Sequence, residues 1–519
     1  MIDAWNFFPD ISFTLQAAAR AAFSQQWGGF LVDIVVSNRV ARVTPGGPMI
    51  GGLASALLPA VRKSGVVWFG SSGKTRRTAS GATPFVQVES YGRGTIATVD
   101  LPDQHYAGFY EGYANSALWP LLHSRPDLAR PCGTDYRSYL EVNAYMARTL
   151  AAFGGSDATF WIHDYHFLPL ARDLRDVGIM GEIGFFLHTP WPERHVIAQL
   201  PQYRELVQSM LAYDLIGFQT DADRDNFADL LRYDLRQPGS GLVFRTRRGA
   251  CRLATFPIGI DAPEFAASAK QSLDNPEVRR LHNSLGGAKL IIGVDRIDYS
   301  KGLTQRIQAF DRLLKRHPKL RRQVAMLQIA VPSRETIKTY RELQDEVARL
   351  VGQVNGTHGE VDWTPLRYLT KGYGQAILAG FYRVAAIGLV TPLRDGMNLV
   401  AKEYVAAQNP DDPGVLVLSK FAGASHELDA ALLVDPRDAD AVAVQIAAGL
   451  AMPRSERRAR WQQMADRLAR HSIHRWFASF LDELKTLRPV AVPLAPAKVA
   501  PPVPAVHERE RENARFVQS

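Results

Sequence analysis

The chain has 519 residues, 46% apolar and 22% charged, with a formal net charge of +9, which fits two or three soluble globular domains with sizeable cores. Its two cysteines, Cys132 and Cys251, lie far apart and support neither a disulfide framework nor a Cys-based zinc site. No apolar run reaches the ~20 residues that span a bilayer, and Asp3 and Asp10 stand where a signal peptide carries lysines, so a cytoplasmic enzyme with no membrane segment is expected. The positive charge lies on helix faces such as Lys315 to Arg322 and Arg454 to Arg460. These lack interleaved aromatics and read as solvated surface, with no nucleic-acid partner; a basic chain also attracts anionic small substrates.

Residues 1–29, with a helical pattern over Phe13 to Gln26, form an N-terminal extension ahead of the first strong strand, Phe30 to Val36. A Gly/Pro-rich loop follows, then an amphipathic helix from near Leu53. Gly51 and Gly52 at its start let a ligand approach the backbone and leave a helix end that favours phosphate; a flexible turn without a ligand accounts for the same residues. GSSGKT, Gly70 to Thr75, resembles half of a Walker A loop, but Trp68 stands where its first glycine belongs and no helical pattern follows, so an ATPase is not expected. The segment Phe109 to Arg125 sets Tyr110, Tyr113 and Trp119 among polar residues, as a sugar-stacking surface or a partly buried helix face would.

From Ala158 to Gly217 strands and helices alternate, which argues a parallel sheet with crossovers and puts Asp164, His166, His188 and Gln219 at strand ends, where open α/β sheets bind ligands. His163, Asp164 and His166 have metal-ligand spacing but no visible fourth partner. Asp221-Ala-Asp223 and Asp438-Ala-Asp440 match the DxD pattern of metal-dependent glycosyltransferases, yet both precede helical patterns and read as caps. No metal and no cofactor are expected.

A second α/β unit begins at Lys289. Its strand Leu290 to Val294 runs into Asp295 and Arg296, with Lys301 beyond; an Arg and a Lys so spaced can neutralise a diphosphate, and a salt-bridged surface loop is the alternative. Arg334 follows the next strand in the same way. After Ala385 to Val390, the stretch Thr391 to Glu403 reads as a strand, a tight loop and a helix start. Lys402 inside the first turn would add positive charge, and Asp395 and Glu403 would accept hydrogen bonds from sugar hydroxyls. An ordinary strand-to-helix turn with Asp395 as a cap accounts for this stretch taken alone; with the other phosphate-binding stretches, phosphate seat and carboxylates together suggest a nucleotide sugar. Beyond Arg488 the Pro/Ala/Val-rich tail reads as disordered.

The segments WIHDYH, IGFFLHTPWP, YDLIGFQT, FPIGI, VDRIDYSKGL, NGTHGEVDWTPLRYL, TPLRDGMNLVAKEYVAAQ and GVLVLSKFAGASHEL, in this order from about Val35 to about Leu487, resemble the trehalose-6-phosphate synthase family. The resemblance implies the GT-B fold: two Rossmann-like domains with parallel sheets facing across a cleft, here 30–257 on the acceptor side and 258–470 on the nucleotide-sugar side. A helix within 471–487 returns to the first domain, and 488–519 form the tail. It implies retaining transfer of glucose from UDP-glucose to glucose-6-phosphate, giving trehalose-6-phosphate; relatives that use glycerol-3-phosphate, other sugar-phosphate acceptors or other nucleotide donors, and a non-catalytic sugar-phosphate sensor, are the alternatives. Self-association into a homo-oligomer is left open.

Carried over residue by residue, Arg296 and Lys301 would hold the donor diphosphate, with Gly51 and Gly52 closing over it. The helix start Leu399, Val400, Ala401, Lys402 and Glu403 would bind the nucleotide, with Glu403 on the ribose and Asp395 on the transferred glucose. Tyr373 falls at a nucleotide contact where a relative has phenylalanine. Arg39, Tyr110 and Arg334 would surround the acceptor phosphate and Asp164 an acceptor hydroxyl, while Trp119 and His188 would line the reacting centre and favour the α-anomer. Trp191 to Glu193, WPE, departs from the FPT-like sequence of some relatives.

Overall fold

The computed structural model describes residues 33–40, 52–77, 84, 86–151 and 158–487. One sheet holds β1 (Asp33–Arg39), β2 (Val67–Arg76), β3 (Val86–Tyr91), β4 (Gly94–Pro102), β5 (Thr159–His163), β6 (Ile183–Phe186), β7 (Leu215–Phe218), β8 (Gly239–Ser240), β9 (Val243–Thr246) and β10 (Gly249–Thr255). Its order is β3-β4-β2-β1-β5-β6-β7-β10-β9-β8; the pairings from β4 across to β10 are parallel and antiparallel hairpins finish both edges. The second sheet is wholly parallel, in the order β13 (Leu366–Leu369), β12 (Val324–Val331), β11 (Lys289–Arg296), β14 (Ile387–Val390), β15 (Val415–Ser419), β16 (Leu432–Val434).

The central strands are near-continuous apolar runs because helices cover both faces: TFWIH in β5, IGLV in β14 and VLVLS in β15 are buried throughout. Two parallel α/β units follow, as the alternation of strands and helices requires. Among the described residues no helix is long and apolar enough to cross a membrane.

Several local expectations shift. Phe30 and the helix Phe13 to Gln26 lie outside the described residues, as does the tail after 487, and β1 runs on to Arg39. GSSGKT is extended chain inside β2, which removes any phosphate loop there. Thr220, not Asp221, caps the helix Asp221–Asp229, whereas Asp438 does cap Ala439–Ala451, taking a bond from Ala441 N at 2.9 Å. The segment from Ala107 to Leu118 winds as a π-helix before one α-turn from Trp119 to Leu122, so its side chains follow neither a 3.6-residue nor a 2-residue period.

The helix Ile473–Thr486 returns to the first sheet. Phe480 is fully buried and stacks on Trp161 with centroids 4.4 Å apart. It fits because Gly184 in β6 and Gly217 in β7 present no Cβ; one at either position would lie 2.7 to 2.8 Å from the Phe480 ring. Ion pairs Lys485–Asp33 at 2.7 Å and Arg252–Glu483 at 2.7 Å flank this contact, and Trp476 Nε1 donates to Phe256 O at 3.1 Å. Phe480→Ala is expected to lower unfolding free energy by ~3–5 kcal/mol; urea denaturation read by intrinsic fluorescence checks this, and an unchanged midpoint would show that the helix does not complete the first core.

Candidate active site

The end of β11, the middle of β12 and the loop after β14 are tied together by one buried guanidinium. Arg306, on the helix Leu303–Arg316, pairs with Asp295 at 2.6 Å and donates to Gln328 Oε1 at 3.1 Å, Thr391 Oγ1 at 3.0 Å and Lys301 O at 3.3 Å. A Cβ on Gly293 in β11 would lie 2.6 Å from both Arg306 and Gln328, so only glycine leaves room for this side chain. The chain then turns through Asp298, which caps the short helix Tyr299–Lys301, and through Gly302 at φ +65°. This delivers Lys301 to the loop after β14, where its ammonium pairs directly with Asp395, both side chains only 13% exposed. Asn398 donates to Asp395 Oδ2 at 3.0 Å and, at φ 69°, starts the helix Leu399–Ala407; among the described residues no side chain caps that start, so its first N–H groups have no side-chain acceptor there.

The expected role of Lys402 is corrected by its surroundings. Its ammonium is fully buried, donating to Ile258 O at 2.7 Å and paired with Glu427, so it holds the second domain to the connecting segment and presents no charge to the loop. Ala401 is buried, and its N–H turns back to Asn398 O at 3.3 Å. Leu399 and Val400 are half-buried at the helix start. Glu403 faces a cavity of about 120 Å³ lined by Pro59, Ile260, Phe265, Gln375 and Leu399, with no hydrogen-bond partner among the described residues. Burial lifts its carboxyl to about 8. Tyr373 is half-buried, edge-on to Phe381 at 5.2 Å between ring centroids.

The first domain supplies the facing wall. Trp119 is buried at the end of the π-helix and its Nε1 donates to Asp298 Oδ1 at 3.4 Å, across the two domains. The Arg334 guanidinium lies 4.0 Å from the Trp119 ring centroid and that of Arg296 5.5 Å from it. Arg334, held at φ 52° just beyond β12, donates to Tyr165 Oη of the first domain at 3.1 Å, to Tyr340 Oη and to Asp298 Oδ2 at 3.5 Å. Tyr110 stacks on His166 and on Tyr106, the latter within the field of Arg39. Arg39 ends β1 exposed, its guanidinium against Gly73.

Asp164 sits at φ 74° at the end of β5 and accepts from His188 N at 3.3 Å; burial raises its carboxyl to about 6 against the pull of backbone N–H groups and Arg334. His188 bonds His163 ring to ring at 3.0 Å, and burial pushes His188 down to about 3, so both imidazoles are neutral near pH 7. A methyl on Gly396 would overlap the His188 carbonyl, so the backbones of the two domains touch at this point. His163, Asp164 and His166 do not converge on a common point: the first bonds His188 and the third stacks on Tyr110.

The structure thus brings Arg296, Lys301, Arg334, Asp395, Trp119, Asp164 and His188 to one cleft. Tyr110 joins it through its stack on His166, Arg39 lies beside Tyr106 on the other side of Tyr110, Gly52 opens the helix Gly52–Lys63, and Gly51 lies outside the described residues. Asp298, Arg306 and Tyr165 were not singled out in the sequence, although VDRIDYSKGL carries a signal for Asp298: a second carboxylate two residues past a strand-end arginine. WPE is locked at the cleft edge, with Trp191 N donating to Asp223 at 2.9 Å and Trp191 O accepting from Arg394 at 3.2 Å.

The model of glycosyltransferase family 20 matches residues 42–486. The chain belongs to glycosyltransferase family 20. Within this family it is similar to the trehalose-6-phosphate synthase of Sinorhizobium fredii, 44% identical over 461 residues that cover 87% of this chain and 97% of that protein. It is also similar to the crystal structure of a UDP-forming trehalose-phosphate synthase from Burkholderia xenovorans in complex with glucose-6-phosphate: 41% identity, TM-score 0.84, 88% of this chain and 100% of that one. An Escherichia coli relative bound with UDP-2-fluoro glucose follows at 39% identity and TM-score 0.81, covering 88% of this chain and 99% of that one. The two facing parallel-sheet domains are therefore the GT-B fold of this glycosyltransferase family.

Two outcomes test this geometry. Arg306→Leu leaves Asp295 buried without its partner and is expected to cost ~3–5 kcal/mol of stability by denaturant titration; a loss under ~1 kcal/mol would remove Arg306 from its role as the tie between β11, β12 and the loop after β14. Glu403 carries a folded-state carboxyl raised to about 8 above the ordinary 4.5, so its favourable contribution is complete at low pH and lost as pH rises through about 8. The thermal midpoint of Glu403→Gln should therefore gain on the parent chain between pH 5 and pH 8.5, and a gap independent of pH would refute the buried, unpartnered carboxyl.

Proposed function

We propose that this family 20 glycosyltransferase moves glucose from UDP-glucose to the anomeric hydroxyl of glucose-6-phosphate, with retention, giving α,α-trehalose-6-phosphate and UDP. The observation that carries this reading is the pair of cation seats at Trp119. Arg296 with Lys301 suits a diphosphate and Arg334 suits a monophosphate, and both guanidiniums lie beside the same Trp119 ring. The relatives fit it, since one is bound to glucose-6-phosphate and another to a UDP-glucose analogue.

On this reading Arg296 and Lys301 take the diphosphate, and Lys301 exchanges its contact with Asp395 for a phosphate oxygen as the donor enters. Asp395 is then released to a hydroxyl of the transferred glucose. Leu399, Val400, Ala401 and Glu403 form the nucleotide end with Tyr373, and Gly51 and Gly52 close over the diphosphate. Arg39, Tyr110 and Arg334 hold the acceptor phosphate and Asp164 an acceptor hydroxyl. Trp119 and His188 line the reacting centre.

The bond from glucose C1 to the leaving phosphate oxygen breaks as negative charge grows on the diphosphate. Fixed cations stabilise that charge more in the transition state than in the ground state. The acceptor oxygen bonds C1 on the same face, and its proton passes to an oxygen of the departing phosphate. On this reading each carboxylate of the cleft has another task, Asp298 on Arg334 and Trp119, Asp395 on a hydroxyl of the transferred glucose and Asp164 on an acceptor hydroxyl, which supports this front-face route over a covalent glycosyl intermediate. The reaction needs no cofactor and takes place in the cytoplasm.

UDP release by the purified protein with EDTA present is expected with UDP-glucose and glucose-6-phosphate together, and not with glycerol-3-phosphate or without acceptor. Release with glycerol-3-phosphate alone would overturn the acceptor. Arg296→Ala is expected to lower turnover by ~10²–10³ with the fold intact by circular dichroism; retained turnover would remove Arg296 from the donor site.

A further inference from the structure

Asp298 is a fully buried carboxylate that faces both cation seats at once. Its Oδ2 lies 3.5 Å from the Arg334 guanidinium and 3.6 Å from that of Arg296; its Oδ1 accepts Trp119 Nε1 from the first domain at 3.4 Å and Ser300 N at 3.0 Å. The bond from Ser300 caps the turn that carries Lys301, so the same carboxylate fixes the backbone delivering the second donor cation. Burial alone would raise this carboxyl, but Arg334 and Arg296 hold it below the usual range, so it stays charged. Two guanidiniums beside one ring repel each other, and an anion buried between them offsets that repulsion and sets their spacing.

We propose that Asp298 is a positioning residue that couples the two substrate seats: it holds Arg296 and Arg334 in one frame and latches the first domain onto that frame through Trp119. The inference rests on the assignment of Arg296 to the donor and Arg334 to the acceptor. The latched state is the one that both ligands favour, because in it each cation is oriented and the domains are closed. A first ligand that favours the latched state thereby lightens the cost of closure for the second, which is positive coupling of the two affinities.

The test is calorimetric binding of UDP alone, glucose-6-phosphate alone, and glucose-6-phosphate with UDP saturating, on the full chain and on Asp298→Asn. In the parent chain UDP is expected to tighten glucose-6-phosphate binding by a factor in the range ~5–150. In Asp298→Asn the single-ligand affinities should stay within about threefold while the coupling falls to about one, and turnover should fall by on the order of 10²-fold from misplaced cations. A general loss of structure would weaken each ligand alone and would not single out the coupling. If Asp298→Asn does not fold, Trp119→Phe breaks the latch from the other domain while keeping a ring beside the arginines, and should lower the coupling in the same way. Parent-level coupling in a folded variant, or no coupling in the parent, overturns the proposal. Failure of the underlying assignments reads out separately, as unchanged UDP affinity in Arg296→Ala or unchanged glucose-6-phosphate affinity in Arg334→Ala.

Discussion

The catalytic half of the second domain depends on the buried Arg306 guanidinium. Side chains and a carbonyl from β11, β12 and the loops after β11 and β14 gather within a few ångströms of one another and need a common donor in a dry interior. Arg306 answers four acceptors from the β11 end, β12, the Lys301 turn and the β14 loop. A planar, permanently charged fork can satisfy that set, and a lysine could not reach it with the same geometry. Lys301, Asp395 and the start of the helix Leu399–Ala407 are positioned around this tie.

The facing wall works differently. Its key groups, Trp119, Tyr165, Asp164 and His188, come from the first domain and meet the second through a few polar contacts and one close backbone approach at Gly396. Neutral imidazoles and a raised carboxyl in that wall leave the cleft's positive charge to the arginines and Lys301. Apart from Arg39 at the end of β1, the cationic side chains gathered at the cleft come from the second domain.

The fold was largely legible because the central strands of both sheets, such as TFWIH, IGLV and VLVLS, are short apolar runs separated by helical patterns, as in parallel sheets covered on both faces. The cations were legible too: Arg296, Lys301 and Arg334 lie just past apolar runs, where parallel strands end. Lys402 was misread because position one turn into a helix says nothing about which way a long side chain points, and Glu427, its partner, lies in a distant part of the chain. Asp298 and Arg306 escaped notice since an acid and a base in an Arg- and Asp-rich stretch resemble surface until burial is known. The π-helix that brings Tyr110 and Trp119 to the cleft was invisible for another reason: its spacing matches neither of the periods by which apolar patterns are read.

The returning helix has a consequence for how the protein is made. Trp161 and the Gly184 and Gly217 floor belong to the first half of the chain, yet the ring that covers them, Phe480, is among the last core residues to leave the ribosome. At ~5–20 residues per second the first sheet waits on the order of tens of seconds with an apolar face bare. The core of the first domain therefore lacks the ring that covers this face until the second domain has been synthesised.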